Sequence, residues 1–542
     1  MVRWRASPWA ALIVLTLGLF MALLDVTIVS VAIPQLVVAI HASLDQAAWV
    51  STAYMLGLAV LLVTSGRLGD RFGPRAVFLA GAAVFTAASA ACGLAASPGA
   101  LIAARAVQGI GAALLTPQPL TIVTGLFPAG RRGAAFAANG VAGGLATLAG
   151  PLIGGLLVTH LSWRWVFFVN VPVGALALVA TVLVVPDVRT GHRHRLDLTG
   201  VLLASLGLAA VAFALTEGQR FGWGTITSVL SIPLLLAAGA GLLMLFVLQQ
   251  ARSQHRDPLV PFALFTGRGF TLMNAVGAGL QFAFIGFLLP FTLYLQSVLG
   301  LSALQAGLVT APSAVANMAL SPFTGRWVDR HGPRGVLTAG LLAFAAGIGI
   351  LVRVATVGQS PWAFSPAMLV IGVGFAATFS PMITKAMASV PPERAGAASG
   401  ILSTSRQAGA VVGSALVAAV LQNQLASALR GRALARTRYL PAGIRARLLA
   451  AVAGAARSGL QVGAGQSGIR LPGGLPAPLA AAVRRTAAQV YQQAYVAALG
   501  PSLLLCAGVL LITAVCAFAA RPGRTATTQV PAQASPRAPA RH

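Results

Sequence analysis

Only nine of the 542 residues are Asp or Glu, seven are His, three are Cys and a single one, Lys385, is Lys. With acids so few and His41, His160, His192, His194, His255 and His331 standing singly or as a loop pair, no hydrolase-like cluster or multi-ligand metal centre is expected. No enzyme activity, cofactor or metal follows from such a composition. Cys92, Cys506 and Cys516 lie in apolar stretches without paired spacing, which excludes a disulfide framework and a zinc motif. What is present is apolar: 57% of residues are hydrophobic, 8% are charged and the mean hydropathy is +0.84, outside the range of soluble globular chains. The formal charge of +28 does not indicate a nucleic-acid partner, because the Arg residues punctuate hydrophobic runs instead of crowding one soluble face. The chain reads as an all-α polytopic membrane protein.

A stretch of about 20 apolar residues crosses a bilayer, and fourteen such windows can be drawn. They run Trp9–Ile33, Ala47–Thr64, Ala76–Leu94, Ala100–Val123, Ala134–Val158, Val166–Val185, Leu198–Thr216, Thr227–Gln249, Phe270–Leu295, Ala306–Thr324, Gly335–Val352, Phe364–Ile383, Ala395–Leu421 and Ala494–Ala519. The first run is too long for a signal peptide and is read as retained. Alternate short connections carry sixteen Arg or Lys against three, which by the positive-inside rule puts both termini in the cytoplasm of a plasma (inner) membrane protein. The segment 422–493 carries ten Arg yet falls outside; long segments cross largely regardless of charge. Parts of it, Ile444–Ala456 and Ala477–Tyr491, have the pattern of amphipathic surface helices, with a variable loop as the alternative. The tail 521–542, rich in Pro, Ala and Thr, reads as disordered.

GRLGDRFGPR at Gly66–Arg75 recurs as GRWVDRHGPR at Gly325–Arg334, identical at seven of ten positions and 259 residues on. Each copy follows the second span of a six-span half. Spans one to six (9–185) and nine to fourteen (270–520) are then parallel repeats with a cavity between them, and spans seven and eight (within 186–269) are an inserted hairpin; residues 1–8 precede the first bundle. Such halves rock about a shared hollow, which is a transporter architecture.

The motifs resemble the major facilitator superfamily, in particular the fourteen-span drug:proton antiporters of the EmrB/QacA type. LDVTIVSVAIP at Leu24–Pro34 resembles the first-span signature, with Ser30 where Asn is usual. GRLGDRFGPR resembles the loop motif, LIAARAVQGIGAA at Leu101–Ala113 the fourth-span motif, and GPLIGG at Gly150–Gly155 the core of the fifth-span antiporter motif, whose leading Gly is Ala146 here. WRWVFFVNVPVG at Trp163–Gly174 is also similar to these proteins. The resemblance implies two six-helix bundles plus two inserted helices, and proton-driven export of a lipophilic small molecule by a protein that is expected to be monomeric. A facilitator or importer on the same fold is the alternative, with a polytopic membrane enzyme or a transporter-like sensor more remote.

Residues then take expected roles. Asp25 is the carboxylate well inside a predicted span; burial favours its protonated form and a nearby cation its ionised form, as proton coupling requires. The alternative is a structural acid bonded to a neighbouring helix. Arg105 lies at a similar depth and pairs with it directly or through water, or else snorkels outward; the resemblance implies a part in proton coupling. In the loop motifs, Gly66, Asp70, Arg71, Gly73 and Arg75, with Gly325, Asp329, Arg330, Gly332 and Arg334, form a cytoplasmic gate. Asp70 is expected at the start of span thirteen near Ala395 and Asp329 at the start of span five near Ala134. Gly150, Pro151, Gly154 and Gly155 permit close helix contact and a bend. Gln108, Asn274, Gln281, Asn317, Arg406 and Gln407 are intramembrane polar residues expected to line the cavity or to tie helices together. Span ten holds no carboxylate, so a neutral, anionic or monocationic substrate fits better than a dication.

Overall fold

The computed structural model describes residues 7–42, 44–188, 197–218, 221–255, 257–388, 390–436 and 477–519. Among these the regular secondary structure is helical apart from one isolated bridge, Thr225 to Ser231. The first half contains α1 (Pro8–Ala39), α2 (Leu44–Phe72), α3 (Pro74–Leu94), α4 (Pro98–Leu115), α5 (Gln118–Leu126), α6 (Arg132–His160), α7 (Trp165–Phe168) and α8 (Asn170–Val184). A hairpin follows, α9 (Leu198–Glu217) and α10 (Ile232–Arg252). The second half contains α11 (Arg268–Leu293), α12 (Ala303–His331), α13 (Pro333–Val354), α14 (Ser365–Met387), α15 (Ala395–Arg436) and α16 (Ala477–Ala519).

Local chemistry sets many of these boundaries. Ser97 and Ser231 cap α4 and α10 by accepting from Ala100 N and Leu234 N, and Ser302 with Gln305 forms a complete capping box on α12. Between α2 and α3 the chain turns at Gly73 with φ of 91°, and between α12 and α13 at Gly332 with φ of 81°. Both lie in the left-handed region that glycine enters without steric cost, and each is followed by a proline that opens the next helix. These are the two Gly-Pro pairs of the repeated motif.

Thirteen helical stretches among the described residues are long and apolar enough to span a membrane. The fourth expected span is α4 and α5 joined at Thr116–Pro117, and the sixth is α7 running into α8. The tenth expected span, α12, falls outside the thirteen: its 29 residues suffice in length, but Pro312, Asn317, Pro322 and four hydroxyl residues dilute its apolar content. One face of it packs on α6 and α14, while Leu308, Val315, Phe323 and Trp327 stay exposed on the other.

The two halves share most neighbour relations, though α15 also packs on α16 in the second where α6 and α8 do not pack in the first. Within the first, α1 packs on α6 and α8, α2 on α4, and α3 on α4 and α8; within the second, α11 packs on α15 and α16, α12 on α14, and α13 on α14 and α16. First meets fifth and sixth, second meets fourth, third meets fourth and sixth. The halves meet along α6–α12 and α2–α15, and the α9–α10 hairpin lies beside α2 and α15. The segment 422–493 departs from a plain loop where it is described, since α15 continues to Arg436 and α16 begins at Ala477. Ile444–Ala456, the Arg residues at 189, 193 and 195, and the tail 521–542 lie outside the described residues.

Candidate functional site

Asp25 is fully buried on α1 at a point where α2, α4 and α8 converge. Arg105, on α4 and 1% exposed, forms a direct ion pair with Asp25 Oδ2 through Nη1. Its Nε donates to the Val50 carbonyl of α2 at 3.0 Å, and Nη1 also donates to Gln108 Oε1 at 2.7 Å. The Tyr54 ring lies 4.3 Å from the guanidinium carbon and the Phe167 ring 5.8 Å, so the cation is held between aromatic faces. Two amides complete the carboxylate: Gln108 Nε2 donates to Oδ1 at 2.9 Å and Asn170 Nδ2 donates to the same oxygen at 3.1 Å. Asn170 Nδ2 also reaches Ser89 Oγ at 3.1 Å, and Ser89 donates to the Phe167 carbonyl at 2.9 Å.

Burying charge without partners is expensive, and here the acid receives donors from three side chains on two other helices. The i, i+3 spacing of Arg105 and Gln108 puts both on one face of α4, as the spacing predicts. That face meets protein, so Gln108, with no exposure, belongs to the ion-pair cluster and not to the wall of a cavity. Through these bonds one carboxylate ties α1 to α4 and α8 together.

At the loop-motif end, Asp70 accepts from Gly396 N at 2.7 Å and from Ala397 N at 2.8 Å, both in the opening turn of α15. A carboxylate on the free amides of a helix start is favourable by hydrogen bonding and by the helix dipole. Arg67 lies 3.7 Å from Asp70 and reaches across to the hairpin connection, donating to the Leu259 carbonyl at 3.1 Å and to that of Pro258. A side chain at Gly66 would run into α15, since Gly400 Cα lies 2.9 Å from where its Cβ would be. Gly325 stands against α6 in the same way, with the Gly133 carbonyl oxygen 2.6 Å from its Cβ position. Arg75 donates to the Val182 carbonyl of α8 at 2.6 Å, while Arg334 covers the Phe518 ring of α16 at 4.4 Å, so each last motif Arg touches the sixth span of its own half. Arg71 is exposed and covers Phe72. The Asp329 side chain lies outside the described residues. Arg330 lines a cavity of about 670 Å³ between α1, α6 and α12, together with Trp9, Ile13, Arg131 and Arg326. None of the six residues expected to line a cavity borders it.

The fifth-span motif packs as small residues allow. Gly150 stands against Thr27 and Gly154 against Ile28 and Val31, all on α1, and Pro151 touches Gly307 of α12. Thr27 Oγ1 donates to the Ala146 carbonyl at 3.1 Å, which places the substituted motif position in the same contact. Gly155 faces open space.

The remaining polar residues divide. Asn317 donates to the Gly140 carbonyl at 3.0 Å and accepts from Ser321 at 3.1 Å, tying α12 to α6. Asn274 donates back to Phe270 of its own helix at 2.9 Å, leaving its carbonyl oxygen buried and unpartnered. Gln281 is half-buried. Arg406 packs over the Phe379 ring at 4.6 Å with Nε buried and unpartnered, and Gln407 reaches the Met55 sulfur on α2 at 3.9 Å.

Several members of the site were not anticipated. Asn170 sits within the quoted WRWVFFVNVPVG segment, where a lone amide in an apolar run was the available signal. Tyr54, Ser89 and the Val50 carbonyl leave no such mark. Glu217 is a second buried acid, 3% exposed at the end of α9, accepting from Thr52 Oγ1 at 3.4 Å. Its place at the edge of a hydropathy window concealed it. Among the described residues no group of three or more His, Cys, Asp and Glu is positioned to hold a metal.

Two helical bundles with matching neighbour relations, a membrane-depth ion pair and a repeated loop motif at one end define a multi-pass membrane transporter. The chain belongs to the major facilitator superfamily, whose family model matches residues 15–414. It is 40% identical to an uncharacterized MFS-type transporter of Mycobacterium tuberculosis, over 81% of this chain and 74% of that one. It is 34% identical to the tetracenomycin C resistance and export protein of Streptomyces glaucescens, over 78% and 77%, and 36% identical to the puromycin resistance protein of Streptomyces alboniger, over 76% and 81%. Among solved structures, the human organic anion transporter MFSD10 superposes with a TM-score of 0.57 at 14% identity, covering 94% of this chain and 100% of that one. The proton:xylose symporter XylE gives 0.55 at 16% identity, covering 75% and 87%. Identities this low speak to the fold alone.

Proposed function

We propose that the protein is a proton-coupled antiporter of the plasma membrane that expels amphipathic organic compounds, with both termini in the cytoplasm. The observation that carries the reading is the buried Asp25–Arg105–Gln108–Asn170 cluster, a single ionisable acid bridging three helices of one half. The names of the Streptomyces relatives, resistance and export proteins, support the direction and the class of cargo.

When the first half faces outward, a proton loads Asp25 and loosens its bonds to α4 and α8. Inward exposure releases the proton and restores them. Each charge moved inward yields about 2.3 kcal/mol per 100 mV, besides the pH term. The contacts of Asp70 with the start of α15 hold the cytoplasmic end shut while the pathway faces out. The two halves serve as the moving bodies: residues 9–185 and 270–520, with the α9–α10 hairpin as an accessory.

The test is purified protein in proteoliposomes carrying an imposed proton gradient. Substrate movement against its own gradient, collapsed by an uncoupler and lost in Asp25→Asn, is the expected result. Equilibration that ignores the gradient would make the protein a facilitator and overturn the reading.

A further inference from the structure

Intramembrane charge is balanced differently in the two halves. Asp25 neutralises Arg105 in the first. Arg406, on α15 in the second, takes no part in either of the ion pairs found among the described side chains, Arg105–Asp25 and Arg67–Asp70. Its guanidinium rests on the Phe379 face at 4.6 Å, its stem touches Gly277 of α11, and its Nε is buried with no acceptor. On the same face of α15, one turn earlier, Ser403 is 4% exposed and its hydroxyl has no partner; across on α11, the Asn274 carbonyl oxygen has none either. Native proteins satisfy buried polar groups, so a group of unsatisfied ones needs a reason. A half-buried guanidinium at membrane depth, its Nε without an acceptor and with no carboxylate partner among the described side chains, can take an anion.

The surroundings specify more. Phe379 stacks on Phe375 at 5.5 Å and 16°, and Phe375 meets Phe284 of α11 at 4.7 Å. Phe375 and Phe284 are only half-buried, so the aromatic row extends from the guanidinium with free ring surface. Gln407, the next residue after Arg406, touches Met55 of α2, which places the group at the seam where the halves part.

We propose that Arg406 is the subsite for a negatively charged group on the transported molecule, and that the substrates are aromatic amphiphiles bearing one acidic function, a carboxylate or an ionised phenol. The aromatic body lies along Phe379, Phe375 and Phe284 while the acid pairs with the guanidinium, in the bidentate geometry that Arg offers and Lys does not. This rests on the export reading above and narrows it to one class of cargo.

Three compounds of one skeleton test it: anthracene-9-carboxylate, its neutral methyl ester and the cationic 9-(aminomethyl)anthracene, each titrated into the purified full chain by fluorescence anisotropy. The carboxylate is expected to bind at least about tenfold more tightly than either companion. Arg406→Gln should remove that preference, Arg406→Lys should keep part of it, and the ester should bind all three forms alike. Equal binding of the three compounds to the unaltered protein, or tighter binding of the cation, overturns the proposal whether or not the variants fold. Flux in proteoliposomes separates the two readings. Arg406-dependent binding of the carboxylate without gradient-driven expulsion sinks the export reading and leaves the subsite standing. Expulsion of ester or cation without an anion preference does the reverse.

Discussion

The first and second halves share their helix packing but not their buried chemistry. In the first, Arg105, Gln108 and Asn170 all bond the Asp25 carboxylate, so its charge is paired within the cluster, although Asn170 Oδ1 is buried without a donor. In the second, the residue 259 positions on from Asp25, the spacing of the repeated loop motif, is Phe284, and the half-buried cation Arg406 stands on an aromatic row with no carboxylate partner among the described side chains. A duplicated scaffold thus carries a closed charge network on one side and an open one on the other. The closed network suits an internal switch; the open one suits a guest.

The largest expected effects come from breaking the closed network. Arg105→Ala leaves Asp25 buried and unpaired, a loss of about 3–5 kcal/mol, visible as a large drop in thermal stability in detergent. Asn170→Ala removes one hydrogen bond to the carboxylate at about 1.5–3 kcal/mol, and a drop equal to that of Arg105→Ala would mean that the pair is not the principal bond. At the seam, Asp70→Ala deprives the α15 start of its cap, costing about 1–2 kcal/mol of the closed contact. In a background without native cysteine, Ser399→Cys, fully buried beside Thr121 at that seam, should then react faster with maleimide. An unchanged rate would remove Asp70 from the gate. Smallest of all is Gly155→Ala: open space surrounds it, and alanine favours the helix by up to about 1 kcal/mol, so stability should rise slightly. Gly150→Ala, five residues earlier, drives into Thr27 and should lower it.

How much of this was legible in the sequence depends on what each feature needed. Helix positions, the repeat and the similar depth of Asp25 and Arg105 follow from hydropathy and counting along helices, because those quantities are one-dimensional. The direction in which a face looks is not. Spacing put Gln108 on the face of Arg105, yet only the rotation of α4 against α1 decided that this face meets protein. Asn170 and Tyr54 join the site because α8 and α2 cross there, which no local pattern encodes. Glu217 and the extended ends of α15 and α16 fail for another reason: a hydropathy window finds the apolar part of a helix, whereas Ala-rich, Arg-bearing flanks remain good helix formers in water. The repeat calls for a helix at the diluted α12, and Ala303–His331 is one, although its apolar content falls short of the other spans.

The two longest helices, α15 with 42 residues and α16 with 43, each extend to about 63–65 Å, roughly twice the 30 Å oil layer. Both belong to the same half, so under the proposed rocking of the halves their overhanging portions would travel with it as a pointer fixed to a turning body. Small tilts near the bilayer centre are magnified at the far tips. A pair of reporter dyes, one near Arg430 on that pointer and one on the opposite half, would therefore register the swing of the machine at a place remote from both proton and cargo.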